Sequence, residues 1–188
     1  MADSFQFGSD HYMIFATKQI GSSGDYLRPQ ALTGRPSDTP TPSVHVNNAH
    51  WVGYDNVRDV SESGSGNTVN ITTRDEARKG LSVEVTVTKT GQFTFQVRYR
   101  AKRLVSDPTY QALMYAALKR EEIAMADLDG PMTTVGAQGQ VGNYILTYQL
   151  DKPVEGVVMA SFTANLTAYP DRIEVASVAS EVPTFTLL

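Results

Sequence analysis

Residues Leu81–Ala101 read LSVEVTVTKTGQFTFQVRYRA, and their alternation decides the fold class. Leu81, Val83, Val85 and Val87 take turns with Ser82, Glu84, Thr86 and Thr88. Phe93, Phe95, Val97, Tyr99 and Ala101 take turns with Gln92, Thr94, Gln96, Arg98 and Arg100. A side-chain period of two belongs to a strand with one buried face. Lys89-Thr90-Gly91 lies between the two runs and reads as a tight turn, so the stretch is expected to be a β-hairpin. Its core residues would be Val83, Val85, Val87, Phe93, Phe95 and Val97.

Just downstream, Ser106–Glu122 (SDPTYQALMYAALKREE) changes period. Asp107 suits an N-cap and Pro108 the first helical position, where its missing N–H costs nothing. Tyr110, Leu113, Met114, Ala117 and Leu118 recur at helical spacing and predict a packing face on a helix over about 107–120. Lys119 and Arg120 suit its C-terminal end. The flanking segments offer only strands for that stripe to lie on.

Further strands are expected at His11–Lys18, Trp51–Val60, Thr68–Thr73, Ile123–Leu128, Asn143–Leu150 and Val157–Tyr169. Ser61–Asn67 (SESGSGN) reads as a turn and residues 131–142 (PMTTVGAQGQVG) as a loop. Gly21 to His50 is rich in glycine, proline, serine and threonine, and is far longer than the ~12–15 residues at which structureless connections become uncommon. Its apolar residues Tyr26, Leu27, Leu32 and Val44 read as anchors on a partner surface. Together these predict a mainly β chain: an antiparallel β-sandwich or partly open barrel with one flanking helix. Residues 1–188 would be a single domain, with an N-terminal arm (1–10), a long assembly loop (21–50) and a C-terminal arm (about 171–188). The second face of the last long strand, Val157 to Thr167, is uncharged. A bare edge beside such a face invites pairing with another copy.

Composition narrows the function classes. The chain has 188 residues, 41% of them hydrophobic, and a formal net charge of −4. That balance gives no case for a nucleic-acid binder working by charge attraction. With no cysteine, disulfides, thiolate metal sites and Cys nucleophiles are excluded. The N-terminus MADSFQFGSD lacks a basic and an apolar signal region, and no apolar run is long enough to span a bilayer, so a soluble protein used without export is expected.

The search for chemistry finds no site. His11, His45 and His50 lack metal-ligand spacing. Asp127 and Asp129 (ADLDG) begin like a calcium loop, but the rest of that pattern is missing, and a turn is the better reading. Gly136, Gly139 and Gly142 open no helix, so they make no dinucleotide fingerprint. Ser63 and Ser65 lack a strand-to-helix elbow. Asn70 and Asn165 match a glycosylation pattern, which without an export signal is coincidence. The densest charge is Arg98, Arg100, Lys102 and Arg103. It reads either as a phosphate-contacting patch or as a solvated strand face with acidic partners, and the second is favoured. Only Glu84 lies across from it on the polar side of the hairpin, so its partners would come from another subunit.

NVRDVSESGSGNTVNITTRDEARKG (56–80), then the 81–101 stretch, DPTYQALMYA (107–116), EEIAMADLDG (121–130), GAQGQVGNYILTYQL (136–150) and EGVVMASFTANLT (155–167) follow one another in an order that resembles bacteriophage tail tube proteins. The resemblance covers about Asn56 to Thr167. It rests on spacing and turn types, not on a catalytic motif. It implies a structural virion protein with no enzymatic activity and no cofactor or metal. Copies would close into hexameric rings and stack into a hollow tube, through which double-stranded DNA passes without specific binding. It further implies contacts with tape measure, terminator and distal tail proteins, assembly in the host bacterial cytoplasm, and no membrane. Tyr26, Leu27, Arg28, Leu32 and Arg35 would be inter-ring loop residues. Arg98, Arg100, Lys102 and Arg103 would not form an open positive stripe in the channel. Two rivals are the tube of a contractile injection system and a monomeric β-sandwich that binds a ligand with Trp51, Tyr54 and Tyr99.

Overall fold

The computed structural model describes residues 12–20, 26–33, 46–47, 49–54, 57–70, 84–98, 107–151, 158–167, 170–180 and 182–188. Within them the alternating stretches form antiparallel strands: β1 (Tyr12–Ile20), β2 (Tyr26–Pro29), β3 (His50–Gly53), β4 (Val57–Asn70), β5 (Glu84–Arg98), β6 (Glu122–Leu128), β7 (Gln138–Asp151), β8 (Met159–Leu166), β9 (Asp171–Ala179) and β10 (Val182–Leu187). One helix, α1 (Pro108–Lys119), joins them. The strand order is β2-β1-β6-β7-β8-β5-β4; β3 pairs with β1, β9 with β7, and β10 with β9. The fold is mainly β, with an antiparallel sheet that does not close into a barrel.

The deciding stretch is a strand, but the expected turn is not there. Lys89-Thr90-Gly91 runs straight through the middle of β5, and Ser61–Asn67 runs through the middle of β4. The two strands pair with each other from Val57↔Val97 to Asn70↔Glu84. The two sets of turn residues meet across the ladder, Gly64 opposite Gly91 and Gly66 opposite Lys89. Val85, Val87, Phe93, Phe95 and Val97 keep odd numbers in the sequence, and the ladder shifts register between Arg58 and Ser61 and again between Asn67 and Thr68, as β-bulges do. Gly91 has a packing reason: a Cβ there would sit 3.1 Å from Leu166 Cδ2 at the end of β8. The glycine lets β5 pass that end without a clash.

Strands β1 and β6 are buried on both faces. Met13, Phe15, Ile123 and Met125 enter one cluster, which also holds Phe93, Phe95, Val97, Tyr144, Leu146, Ala160, Phe162 and Ala164. Ile14, Ala16, Ala124, Ala126 and Leu128 enter a second cluster with Trp51, Val141, Ile173, Val175 and Phe185. The sheet rolls around the first cluster. β1 and β5 stand four steps apart in the strand order, which in a flat sheet would be about 19 Å at ~4.8 Å per strand. Their Phe15 and Phe95 ring centroids nevertheless lie 5.7 Å apart. Phe95 stacks on Phe162 at 5.2 Å. β3, β9 and β10 cover the second cluster on the outside of the roll.

The C-terminal arm expected at about 171–188 is instead β9 and β10, with Ile173, Val175 and Phe185 buried. The expected loop 131–142 is shorter, because β7 begins at Gln138 and takes in Gly139 and Gly142. Gly139 lies where a Cβ would run into the Asp127 carbonyl of β6. The N-terminal arm (1–10) lies outside the described residues.

Helix α1 starts as its sequence asks. The Asp107 carboxylate accepts a hydrogen bond from the Tyr110 N–H at 3.0 Å, and Pro108 follows the cap. The helix ends at Arg120, in the left-handed region with φ 55°. Its packing face needs correction. Thr109, Tyr110, Ala112, Leu113 and Ala116 are buried, Met114 and Ala117 are half-buried, and Leu118 is 62% exposed. The helix lies on β2 and β7, so the small side chains Ala112 and Ala116 point inward and leave Leu118 in solvent.

Candidate assembly surface

The outer face of the β5–β8–β7 sheet is a grid of uncharged side chains, polar except for Ile145. Its rungs follow from register: Gln92–Asn165–Ile145, Thr94–Thr163–Thr147, and Gln96–Ser161–Gln149. Gln92 Nε2 donates to Asn165 Oδ1 at 2.9 Å, and the Thr147 hydroxyl donates to the Thr163 carbonyl at 3.5 Å. Of the residues between them in sequence, Phe93, Phe95, Val97, Ala160, Phe162, Ala164, Tyr144 and Leu146 are buried on the other face, and Tyr148 is 39% exposed. Charged positions stand only at the margins of the grid, with Glu122 beside Ile145, Arg58 beside Gln96, and Arg98–Met159–Asp151 as the next rung. The sequence showed part of this face on one strand. Only the register shows that three strands share it.

Beside the grid stands a second feature. β8 pairs with β5 over Gln92–Arg98 only. From Glu84 to Gly91, β5 pairs among the described residues with β4 alone. The β4–β5 ribbon therefore continues as two strands past the end of the sheet, and among the described residues no strand pairs with the outer edge of β4. Two strands by themselves are marginal in water. Of the expected hairpin core, Phe93, Phe95 and Val97 lie in the rooted half and are buried. Val85 and Val87 lie in the projecting half, where their side chains are outside the described residues. Val83 is outside them altogether.

The expected assembly loop is in good part tied to its own subunit. Tyr26–Pro29 forms β2, paired with Thr17–Ile20 of β1. Leu27 and Leu32 are buried, and the Arg28 guanidinium lies 3.8 Å from the Tyr115 ring centroid of α1. Asn143 clamps Leu32: its Oδ1 accepts from the Leu32 N–H at 2.8 Å, and its Nδ2 donates to the Leu32 carbonyl at 3.0 Å. Asn47 clamps Phe185 in the same way, at 2.7 and 3.0 Å. These contacts make Leu27, Arg28 and Leu32 part of the subunit's own packing. Arg35 lies outside the described residues, as do Arg100, Lys102 and Arg103.

The remaining candidates are structural. The Trp51 indole N–H donates to the Val46 carbonyl at 2.9 Å, and its ring meets Phe185 edge-on. The Tyr54 hydroxyl donates to Asp107 Oδ2 at 2.7 Å. Both rings are tied by these contacts to their own subunit; Tyr99 is outside the described residues. Asp129 Oδ1 accepts from the Gln138 N–H at 2.7 Å, which ties the β6–β7 connection. His50 Nδ1 and the Thr17 hydroxyl lie 3.4 Å apart. Among the described residues no cluster of His, Asp and Glu could hold a metal, and no helix is long and apolar enough to cross a membrane. One cleft, lined by Phe93, Asp127, Asp129 and Gln140 among others, holds about 170 Å³. That is below the ~300–1,000 Å³ of small-molecule pockets.

No family model matches the sequence, and no curated protein matches it. Among solved structures, a chain from the tail of an empty gene transfer agent particle, with C6 symmetry, is similar at a TM-score of 0.53 and 9% identity. The match covers 88% of this chain and 97% of that one. A chain from the virion of a native gene transfer agent particle is similar at a TM-score of 0.48 and 9% identity, covering 65% of this chain and 88% of that one. The first matches nearly the whole length of both chains, so this chain shares the fold of that gene transfer agent tail chain.

Proposed function

We propose that the chain is a structural protein of a phage-like tail and builds its tube. Six copies close into a ring, rings stack, and double-stranded DNA passes through the bore. The ribbon carries this reading. A two-stranded extension with a bare edge gains a third strand when a neighbouring copy adds to it, and a head-to-tail contact of that kind closes into a ring or repeats along a filament. The C6 symmetry of the structurally similar tail supports six copies. The subunit has no catalytic role and needs no cofactor. Its other partners are the tail proteins that cap the tube, set its length and join it to the tip, and assembly takes place in the host cytoplasm before incorporation into the virion.

Negative-stain microscopy of the purified protein tests the proposal. Rings or tubes with a central bore are expected, together with an elution volume that moves to higher mass as concentration rises. A monomer that stays monomeric at high concentration, with no rings on the grid, would sink it.

A further inference from the structure

Among the described residues β4 pairs only with β5, and β10 only with β9. Each therefore turns one edge away from the sheet, but on β10 that edge is occupied. The Leu188 N–H donates to the Arg172 carbonyl of β9 at 3.0 Å. In an antiparallel ladder alternate residues turn their peptide groups to the partner strand and away from it, so Phe185, three residues back, faces away. Its N–H donates to Asn47 Oδ1 at 2.7 Å, and Asn47 Nδ2 donates to its carbonyl at 3.0 Å. One carboxamide thus takes both bonds that the backbone of an added strand would make. Pro183, two residues earlier on the same edge, has no N–H to give. The clamp is held from inside. Val46 is fully buried, and its carbonyl accepts from the Trp51 indole, whose ring meets the Phe185 ring edge-on at 5.8 Å. The packed ring pair therefore fixes where the next residue, Asn47, puts its amide.

We propose that Asn47 is a lock on the β10 edge: it takes the backbone positions through which a second copy would add a strand, so copies join by the ribbon and not here. That they join by the ribbon rests on the tube reading above; the lock itself does not. An edge strand with free N–H and C=O groups is a template for pairing. A subunit open at both ends of its sheet would add copies in open runs as readily as in a closing ring. The side chains of β10 give little protection of their own. Thr184 and Thr186 are exposed without charge, and Val182 and Leu188 are each 62% exposed. Among the described residues, the Asn47 amide and Pro183 are what guard this edge.

Three full-length chains test the lock: the native one, Asn47→Ala, and Asn47→Ala combined with Thr184→Lys and Thr186→Lys. Each is checked for folding by circular dichroism, concentrated, and followed by microscopy and by the infrared band of intermolecular sheet. Asn47→Ala is expected to send at least ~10-fold more protein than the native chain into irregular, sheet-rich aggregates. The two lysines place charge on the opened strand, repel a second copy, and are expected to return the aggregate to near the native amount. Asn47→Ala that assembles as the native chain does would overturn the lock. So would aggregates that the lysines leave unchanged, because these would come from a weakened fold and not from an opened edge. If Asn47→Ala does not fold, Asn47→Ser takes its place, since one short hydroxyl cannot hold both the N–H and the carbonyl of Phe185. A native chain that makes no rings while the variants behave as expected would overturn the tube reading and leave the lock standing.

Discussion

Gln92–Arg98 and Glu84–Gly91 are two halves of one strand, yet they are held in opposite ways. The rooted half lies between β4 and β8, and its Phe93, Phe95 and Val97 are sunk in the aromatic cluster. The projecting half has β4 on one side and, among the described residues, no strand on the other. Alternation is a local property and says only that both are strands. Which half is finished within the subunit is decided by where β8 stops, at Leu166. Subunit stability should therefore reside in the first half and assembly in the second.

The largest expected effect tests the rooted half. Phe95→Ala removes a ring that is 1% exposed and touches Phe15 and Phe162. It should destabilise the isolated subunit by about 3–5 kcal/mol, read from a urea midpoint. A loss below about 1 kcal/mol would mean that the cluster does not hold the roll together. Next comes the junction. Gly91→Leu sets a branched side chain against Leu166, where even a Cβ is at 3.1 Å, and overpacking of that kind should cost about 1–3 kcal/mol. Unchanged stability would show that the ribbon can swing away from the end of β8, and the line between the halves would then have to move.

A third region repeats the comparison. Residues 26–33 read in sequence as part of a projecting loop, but β1, α1 and Asn143 hold them. Asn143→Ala strips two hydrogen bonds from Leu32 and should cost about 1–2 kcal/mol in the same urea titration. No change would return this segment to the class of free loops. The anchoring also limits how the loop can be probed. A deletion that reaches back to Ser22 removes β2 and both buried leucines, so it would unfold the subunit before it tested assembly.

The reasons for what was legible follow from these residues. Strand identity and the helix start could be read because alternation, Asp107 and Pro108 act within a few residues. The turns could not, since glycine marks either a turn or a close approach, and Gly91 is there for Leu166 on a strand more than seventy residues away. Leu27 and Leu32 looked like docking residues because their covering elements come from elsewhere in the chain. Spacing and size place Leu118 on the buried face of the helix together with Tyr110 and Leu113, and it lies 62% exposed. A helix lying close on β2 and β7 instead presents Ala112 and Ala116. The polar grid needed three strands in register, and no single stretch contains that information.

Val85→Asp gives the smallest expected effect on the subunit and the most decisive one for the comparison. Read from alternation alone, Val85 belongs to the core of a hairpin, and a charge there would unfold the protein. Paired opposite Val69 in the half of β5 that β8 does not reach, it should leave the urea midpoint of the monomer within about 0.5 kcal/mol, the size of a change outside the core. The same substitution places a carboxylate in each ribbon where neighbouring copies meet, and like charges brought together around a ring repel. Rings should be absent at low salt and only partly recovered at high salt, since screening weakens repulsion but not desolvation. If the variant unfolds instead, the projecting half is packed as firmly as the rooted one, and the division of labour along β5 is wrong. If it folds and assembles normally, the ribbon is not the contact between copies.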